Sequence, residues 1–163
     1  MEIFEFAIQM EKDGEIYYRE LAQASRPTGL QKIFTLLADE EVQHRKLLED
    51  LHQRTPPKEG QPSRILENVK NIFITMAKQP PGADMKDQIN AFKKALQIEE
   101  MSRNFYQQKA DEARDGQAKA ILNLLVREET GHIRIMENIV EFVSRPEPGG
   151  WLENAEWHHL DEY

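Results

Sequence analysis

Glutamate and histidine recur in this sequence at a spacing that suits metal binding. Each of two Glu-x-x-His motifs follows a single glutamate by thirty residues, and the second set lies 88 residues after the first. Glutamate and histidine one turn apart on a helix can reach the same ion. The six candidate ligands are Glu11, Glu41, His44, Glu99, Glu129 and His132.

The same offset of 88 residues relates longer stretches of the chain. Over 16-residue windows that begin at Ala7 and Phe34, five and six residues are identical to those in the matching windows. Chance would give roughly one identity in each window. The sequence therefore indicates an internal repeat of one helical hairpin, which predicts a pseudo-two-fold axis through the core.

All four glutamates interrupt an apolar helical stripe about halfway along its length. In the second helix, for example, the stripe runs Ile33, Leu37, Glu41, His44 and Leu48. Residues three and four apart share one face of a helix, so these side chains should point into the core. Buried carboxylates cost several kcal/mol each unless they are neutralised, and two divalent cations would balance four of them.

The expected site is a pair of metal ions held between the hairpins. Glu41 and Glu129 would bridge the ions, with Glu11 and His44 capping one and Glu99 and His132 capping the other. Iron is the favoured metal, although carboxylates and imidazoles also accept manganese or a mixed pair. The neighbouring glutamates are expected to lie on solvated flanks: Glu40, Glu100 and Glu128.

Four long helices should position these residues in an all-α, ferritin-like four-helix bundle. Proline and glycine clusters and apolar periodicity place the helices at about Glu2–Ala24, Thr28–Gln53, Asp84–Arg114 and Gly116–Ser144. A long crossover joins the second helix to the third and should carry a short amphipathic helix near Ser63–Lys78. We expect the bundle to span residues 1–145, followed by a tail of residues 146–163 that packs on the bundle or on a partner subunit.

The composition excludes several functional classes. The net charge is −8 and the pI is about 5.2, which disfavours binding to nucleic acid or to an anionic membrane surface. The sequence contains no apolar run long enough to cross a membrane. It also has no cysteine, which excludes disulfides and cysteine-ligated iron centres within these 163 residues. We expect a cytoplasmic protein.

From about Ile3 to Val143, the chain resembles the rubrerythrin branch of the ferritin-like di-iron carboxylate proteins. The resemblance rests on Glu11, Glu99 and the two Glu-x-x-His motifs, in family order. It implies two iron ions per chain and a reaction with hydrogen peroxide or dioxygen. It also implies that Tyr18 and Tyr106 hydrogen-bond ligand carboxylates, from where either phenol could donate a proton in catalysis.

Two departures from the family affect the expected chemistry. Rubrerythrins carry a cysteine-ligated rubredoxin centre that supplies electrons. This sequence has no cysteine to hold such a centre, so electrons would come from an external donor such as a rubredoxin-like protein or a reductase. The family also has an extra glutamate where this sequence has Ser102, and Ser102 corresponds to Gly14 in the repeat. Both small residues should leave space beside the metals.

The favoured function is a peroxide-reducing di-iron oxidoreductase that forms a homodimer. Three alternatives stay open from the sequence. A ferroxidase or iron-handling protein would use the same ligands, and a monooxygenase would need an apolar substrate tunnel. A metal-stabilised interaction module would bind metal without turnover.

Overall fold

The computed structural model describes residues 2–26, 28–53 and 88–144, and within them every regular element is an α-helix. The four helices are α1 (Glu2–Ala24), α2 (Thr28–His52), α3 (Ile89–Glu112) and α4 (Gly116–Ser144). The first and last agree with the bounds predicted from sequence. The third ends two residues early, because Ala113 adopts an extended conformation with φ −68° and ψ 131°.

The helices form two hairpins, in which α1 packs mainly against α2 and α3 mainly against α4. Each hairpin has a short connection, and the first lies at the breaker cluster predicted from sequence. In the second, the carboxylate of Asp115 accepts a hydrogen bond from the backbone N–H of Ala118 at 2.8 Å and so caps the start of α4. Short connections make consecutive helices antiparallel.

Side-chain hydrogen bonds link the end of α1 to the start of α3. The Gln88 amide donates to the carbonyl of Ala24 at 2.7 Å, and the Tyr17 hydroxyl donates to the carbonyl of Ala91 at 2.8 Å. The start of α2 lies at this same end, and α2 is about 37 Å long. Gln53 and Gln88 therefore lie at opposite ends of the bundle, which is the ferritin-like connectivity.

Within the described ranges, the buried apolar side chains form two clusters. One contains Tyr18, Phe34, Phe92 and Met136, and the other contains Leu48, Tyr106, Leu122 and Leu125, each with further aliphatic neighbours. On each helix, the glutamates and histidines of the repeated motifs lie between residues of one cluster and residues of the other. Apolar packing on both sides therefore holds this polar layer in place.

Several predictions concern residues outside those described. They are the short crossover helix near Ser63–Lys78, the packing of the tail with Trp151 and Trp157, and the domain boundary at residue 145. None of the described helices is both long enough and apolar enough to span a membrane.

Candidate metal centre

The structure brings all six predicted ligands together at mid-height in the bundle. None of them is more than 4 % exposed: Glu11, Glu41, His44, Glu99, Glu129 and His132. Their burial follows from the sequence pattern, because each occupies a position in the apolar stripe of its helix. Charged groups are almost never buried to this degree unless they are paired or bind metal.

The six side chains form two overlapping groups. In the first, one ligand atom from each of Glu11, Glu41, His44 and Glu129 lies within 4.8 Å of the others. The second group is formed in the same way by Glu41, Glu99, Glu129 and His132. Glu41 and Glu129 belong to both groups, which is the arrangement that two ions sharing two bridging carboxylates require.

Both imidazoles present Nδ1 to the carboxylates. His44 Nδ1 lies 3.1 Å from Glu129 Oε1, and His132 Nδ1 lies 3.2 Å from Glu41 Oε1. These two contacts are equivalent under the repeat, since residues 44 and 41 correspond to residues 132 and 129. The pseudo-two-fold relation between the hairpins therefore extends to individual atoms of the site.

Two buried tyrosines join the hairpins across the site. The Tyr18 hydroxyl on α1 donates to Glu99 on α3, and the Tyr106 hydroxyl on α3 donates to Glu11 on α1. Burial, followed by the charge of the carboxylate it contacts, raises the pKa of each phenol well above 10.0. Both phenols therefore keep their protons at neutral pH, and each orients one carboxylate oxygen, in Glu99 and in Glu11 respectively.

Without metal, the two shared carboxylates resist ionisation. Burial raises the pKa of Glu41 and Glu129 well above 4.5. The negative charge of Glu11 adds to the rise for Glu41, and that of Glu99 adds to the rise for Glu129. The cause is the crowding of four carboxylates in a medium that solvates charge poorly.

The charged forms of the two outer carboxylates, Glu11 and Glu99, and of the His44 imidazole are favoured instead. Burial opposes ionisation of Glu99, but the charge of His132 and several hydrogen bonds outweigh it and lower its pKa to about 2. Burial also disfavours charge on His44, yet the Glu11 carboxylate overcomes it and raises the pKa of His44 to about 10. A positive charge between the carboxylates thus stabilises the site, and a bound cation would supply it.

The donor set fits a pair of divalent transition-metal ions. Glu11 Oε2, Glu41 Oε1 and Glu129 Oε2 are buried and accept no hydrogen bond within the described part of the chain. Four carboxylates balance the charge of two divalent ions, and oxygen with imidazole nitrogen suits iron or manganese. These residues would hold the two ions.

Gly14 and Ser102 lie beside the site, as the repeat predicted. A Cβ added at Gly14 would lie 3.1 Å from Glu41 Oε2, so the α1 backbone directly adjoins a shared carboxylate. A narrow cleft lined by Gly14, Ser102, Glu41 and Glu99 reaches this point from between α1 and α3. The space expected beside the metals therefore exists.

Glu40 lies closer to the two imidazoles than the sequence suggested. Glu40 was expected on a solvated flank, but it is half-buried, and a carboxylate oxygen lies within 4.8 Å of one ring nitrogen of each imidazole, His44 and His132. Its repeat mate Glu128 is also half-buried but belongs to no such group among the described residues. The sequence carries no signal for this difference, because both glutamates occupy the same place in the motif.

Comparison with known proteins supports the resemblance inferred from the motifs. Residues 2–79 match the family model of rubrerythrin, a range that contains α1, α2 and the ligands Glu11, Glu41 and His44. Neither the curated proteins nor the solved structures gave a significant match. The similarity to rubrerythrin thus covers the first hairpin, and the internal repeat relates the second hairpin to it.

Proposed function

We propose that this rubrerythrin-like chain is a non-haem di-iron oxidoreductase that reduces hydrogen peroxide. One observation carries the proposal: two buried Glu/His groups share Glu41 and Glu129. A surface ion pair or a single structural metal would need neither four buried carboxylates nor their two-fold arrangement. A pair of divalent metals that share two carboxylates accounts for both.

When bound, a diferrous pair would supply two electrons and Lewis acidity, which is the requirement for cleaving a peroxide O–O bond. Glu11 and Glu99 are oriented by the two tyrosine hydroxyls. Tyr18 and Tyr106 keep their protons at neutral pH and would release one only to a strong base, such as the hydroxide that cleavage of the peroxide O–O bond produces. The apolar clusters on either side exclude bulk water.

The remaining parts of the proposal concern partners. Electrons would come from a separate donor, such as a rubredoxin-like protein or a reductase, because these 163 residues contain no cysteine to hold a second iron centre. We also propose a homodimer located in the cytoplasm.

The test is an anaerobic reaction of the iron-loaded protein with stoichiometric oxidant. Ferrous protein is mixed in parallel with hydrogen peroxide and with dioxygen, and oxidation is followed in the near ultraviolet. We expect faster oxidation by peroxide, without iron uptake beyond two ions per chain. Faster oxidation by dioxygen with further uptake would indicate a ferroxidase, and a stable metal with no redox response would indicate an interaction module.

A further inference from the structure

An apolar groove lies between α1 and α3, on the side where the narrow cleft reaches the metal centre. Its volume is about 620 Å³, within the range of small-molecule sites. Most of its walls are apolar or aromatic side chains: Phe6, Met10, Tyr17, Ile98, Met101 and Phe105. Hydrogen peroxide alone would not require a groove of this size or polarity.

The groove and the cleft are continuous. Met10, Gly14, Tyr17, Ile98 and Ser102 line both of them. The cleft has a volume of only about 10 Å³, close to the least that holds one water molecule. A ligand could therefore rest its carbon skeleton in the groove while only a small polar end approaches Glu41.

Among the described residues, the only charged side chains that line the groove are Asp13 and Lys94, and both are exposed. The Lys94 ammonium lies 5.6 Å from the centre of the Tyr17 ring. The walls between these two charges are neutral, and the chain as a whole carries a net charge of −8. These features favour a neutral, mainly apolar molecule over an anionic one.

We propose that the groove binds the carbon skeleton of a neutral organic hydroperoxide, whose terminal oxygens reach the metal centre through the cleft. This inference rests on the proposed function, because it names the peroxide substrate of the same site. The O–O bond breaks, and two electrons from the diferrous pair together with two protons convert the substrate to an alcohol and water. The two ferrous ions become ferric.

The first test measures binding without any reaction. Cumyl alcohol, the product from cumene hydroperoxide, is titrated calorimetrically into the zinc-loaded protein, which cannot reduce peroxides. We expect a dissociation constant at or below about 1 mM. Replacement of the groove residue by Ile98→Trp should abolish detectable binding, because the larger side chain would occupy the part of the groove that adjoins the cleft. Ile16→Trp on the exposed face of α1 should preserve binding.

The second test compares oxidation rates of the ferrous protein with cumene hydroperoxide and with hydrogen peroxide. The ratio of the two rates should fall about tenfold in Ile98→Trp, since a filled apolar pocket discriminates by about that factor. The ratio should be unchanged in Ile16→Trp. Met101→Glu introduces a charge into the groove at a position that is 71 % exposed, so it should lower the ratio in the same direction without disturbing the core. This variant guards against misfolding of the tryptophan variant.

The outcomes separate the two proposals. Cumyl alcohol binding that Ile98→Trp abolishes, in a protein that reduces neither peroxide, would support the groove and refute the peroxidase function. The groove proposal would be overturned if the protein reduces hydrogen peroxide but does not bind the alcohol, and if the rate ratio is unaltered in Ile98→Trp. The groove proposal would also be overturned if the wild type is a dimer that does not bind the alcohol and Met101→Glu is a monomer. A second copy of the chain would then occupy the groove.

Discussion

The absence of a side chain at residue 14 leaves room for a carboxylate of the candidate metal centre. Gly14 is buried, and its Cα faces the carboxylate of Glu41, one of the two ligands shared by both groups. Its repeat mate Ser102 lines the same cleft. Room for the shared carboxylate, and for a substrate beside it, thus depends on two small residues.

Substitution Gly14→Ala should weaken metal binding. The new Cβ would lie 3.1 Å from Glu41 Oε2, so the carboxylate must move by a few tenths of an ångström. Displacing groups that orient metal ligands typically costs about 10–100-fold in affinity, and we expect the lower end. Cobalt titration under equilibrium conditions measures the loss.

The matched control for this substitution is Gly116→Ala, where an added Cβ meets nothing within 4 Å. Cobalt affinity should be unchanged in that variant. Equal affinities in the wild type and in Gly14→Ala would show that the carboxylate does not depend on the space at residue 14.

The tyrosine hydroxyls should contribute to stability even without metal. Tyr106→Phe leaves the Glu11 carboxylate without its buried donor, which costs about 1–3 kcal/mol of unfolding free energy. Tyr18→Phe should behave alike, because it is the repeat mate with the equivalent contact to Glu99. Urea denaturation of the metal-free proteins measures both values.

Tyr17→Phe provides the comparison, because its hydroxyl bonds the Ala91 carbonyl at 2.8 Å in a half-buried position. Water can replace part of that interaction, so the loss should be smaller. A cost for Tyr106→Phe no greater than for Tyr17→Phe would refute a special role for the tyrosine–carboxylate pairs.

At the scale of elements, ion pairs hold α1 against α2 beside the site. Arg45 Nη1 lies 2.9 Å from Glu15 Oε2, and Arg19 Nη2 bridges Glu15 and Asp39 at 3.2 and 3.0 Å. Burial opposes the ionisation of Glu15, but the hydrogen bonds and charges of the two arginines lower its pKa below 4.5. The group therefore stabilises the hairpin in its ionised form.

The stability of the metal-free hairpin should depend on pH through Glu15. Because its pKa is lower in the folded state, its contribution is complete above about pH 4.5 and disappears as the pH falls through the folded-state value. Glu15→Gln should cost about 1 kcal/mol at pH 7 and progressively less as the pH falls below 4.5, as measured by urea unfolding across the acidic range. A cost that does not fall anywhere below pH 4.5 would contradict the ionic origin.

The element bounds were largely predictable from sequence, because breakers and apolar periodicity mark them. Ala24 precedes an arginine–proline–threonine–glycine cluster, and Gly116 follows the Asp115 cap. The early end of α3 at Glu112 was not predictable, because residues 113 and 114 carry no breaker. Repeat and spacing also predicted the burial of all six ligands.

Other features depend on how the helices are rotated and spaced, which a linear pattern does not encode. The choice of Nδ1 over Nε2 in His44, the approach of Glu40 to the imidazoles and the groove between α1 and α3 belong to this class. From the sequence, an apolar substrate tunnel was expected only if the protein were a monooxygenase, and no residues could be assigned to it.

At the scale of the whole molecule, two apolar clusters enclose one polar layer, and a pseudo-two-fold axis relates the two hairpins through it. This arrangement explains why the ligands come in equivalent pairs and why Glu41 and Glu129 are shared. Since each metal would contact both hairpins, bound metal should also tie the two halves of the bundle together.

The most direct test of the account is the number of iron ions retained per chain after anaerobic loading and removal of free iron. We predict about two for the wild type, fewer than one for Glu129→Ala, and about two for the control Glu128→Ala, which removes the adjacent glutamate. Retention of two ions by Glu129→Ala, or of no more than one by the wild type, would contradict a centre in which two metals share the carboxylates of Glu41 and Glu129.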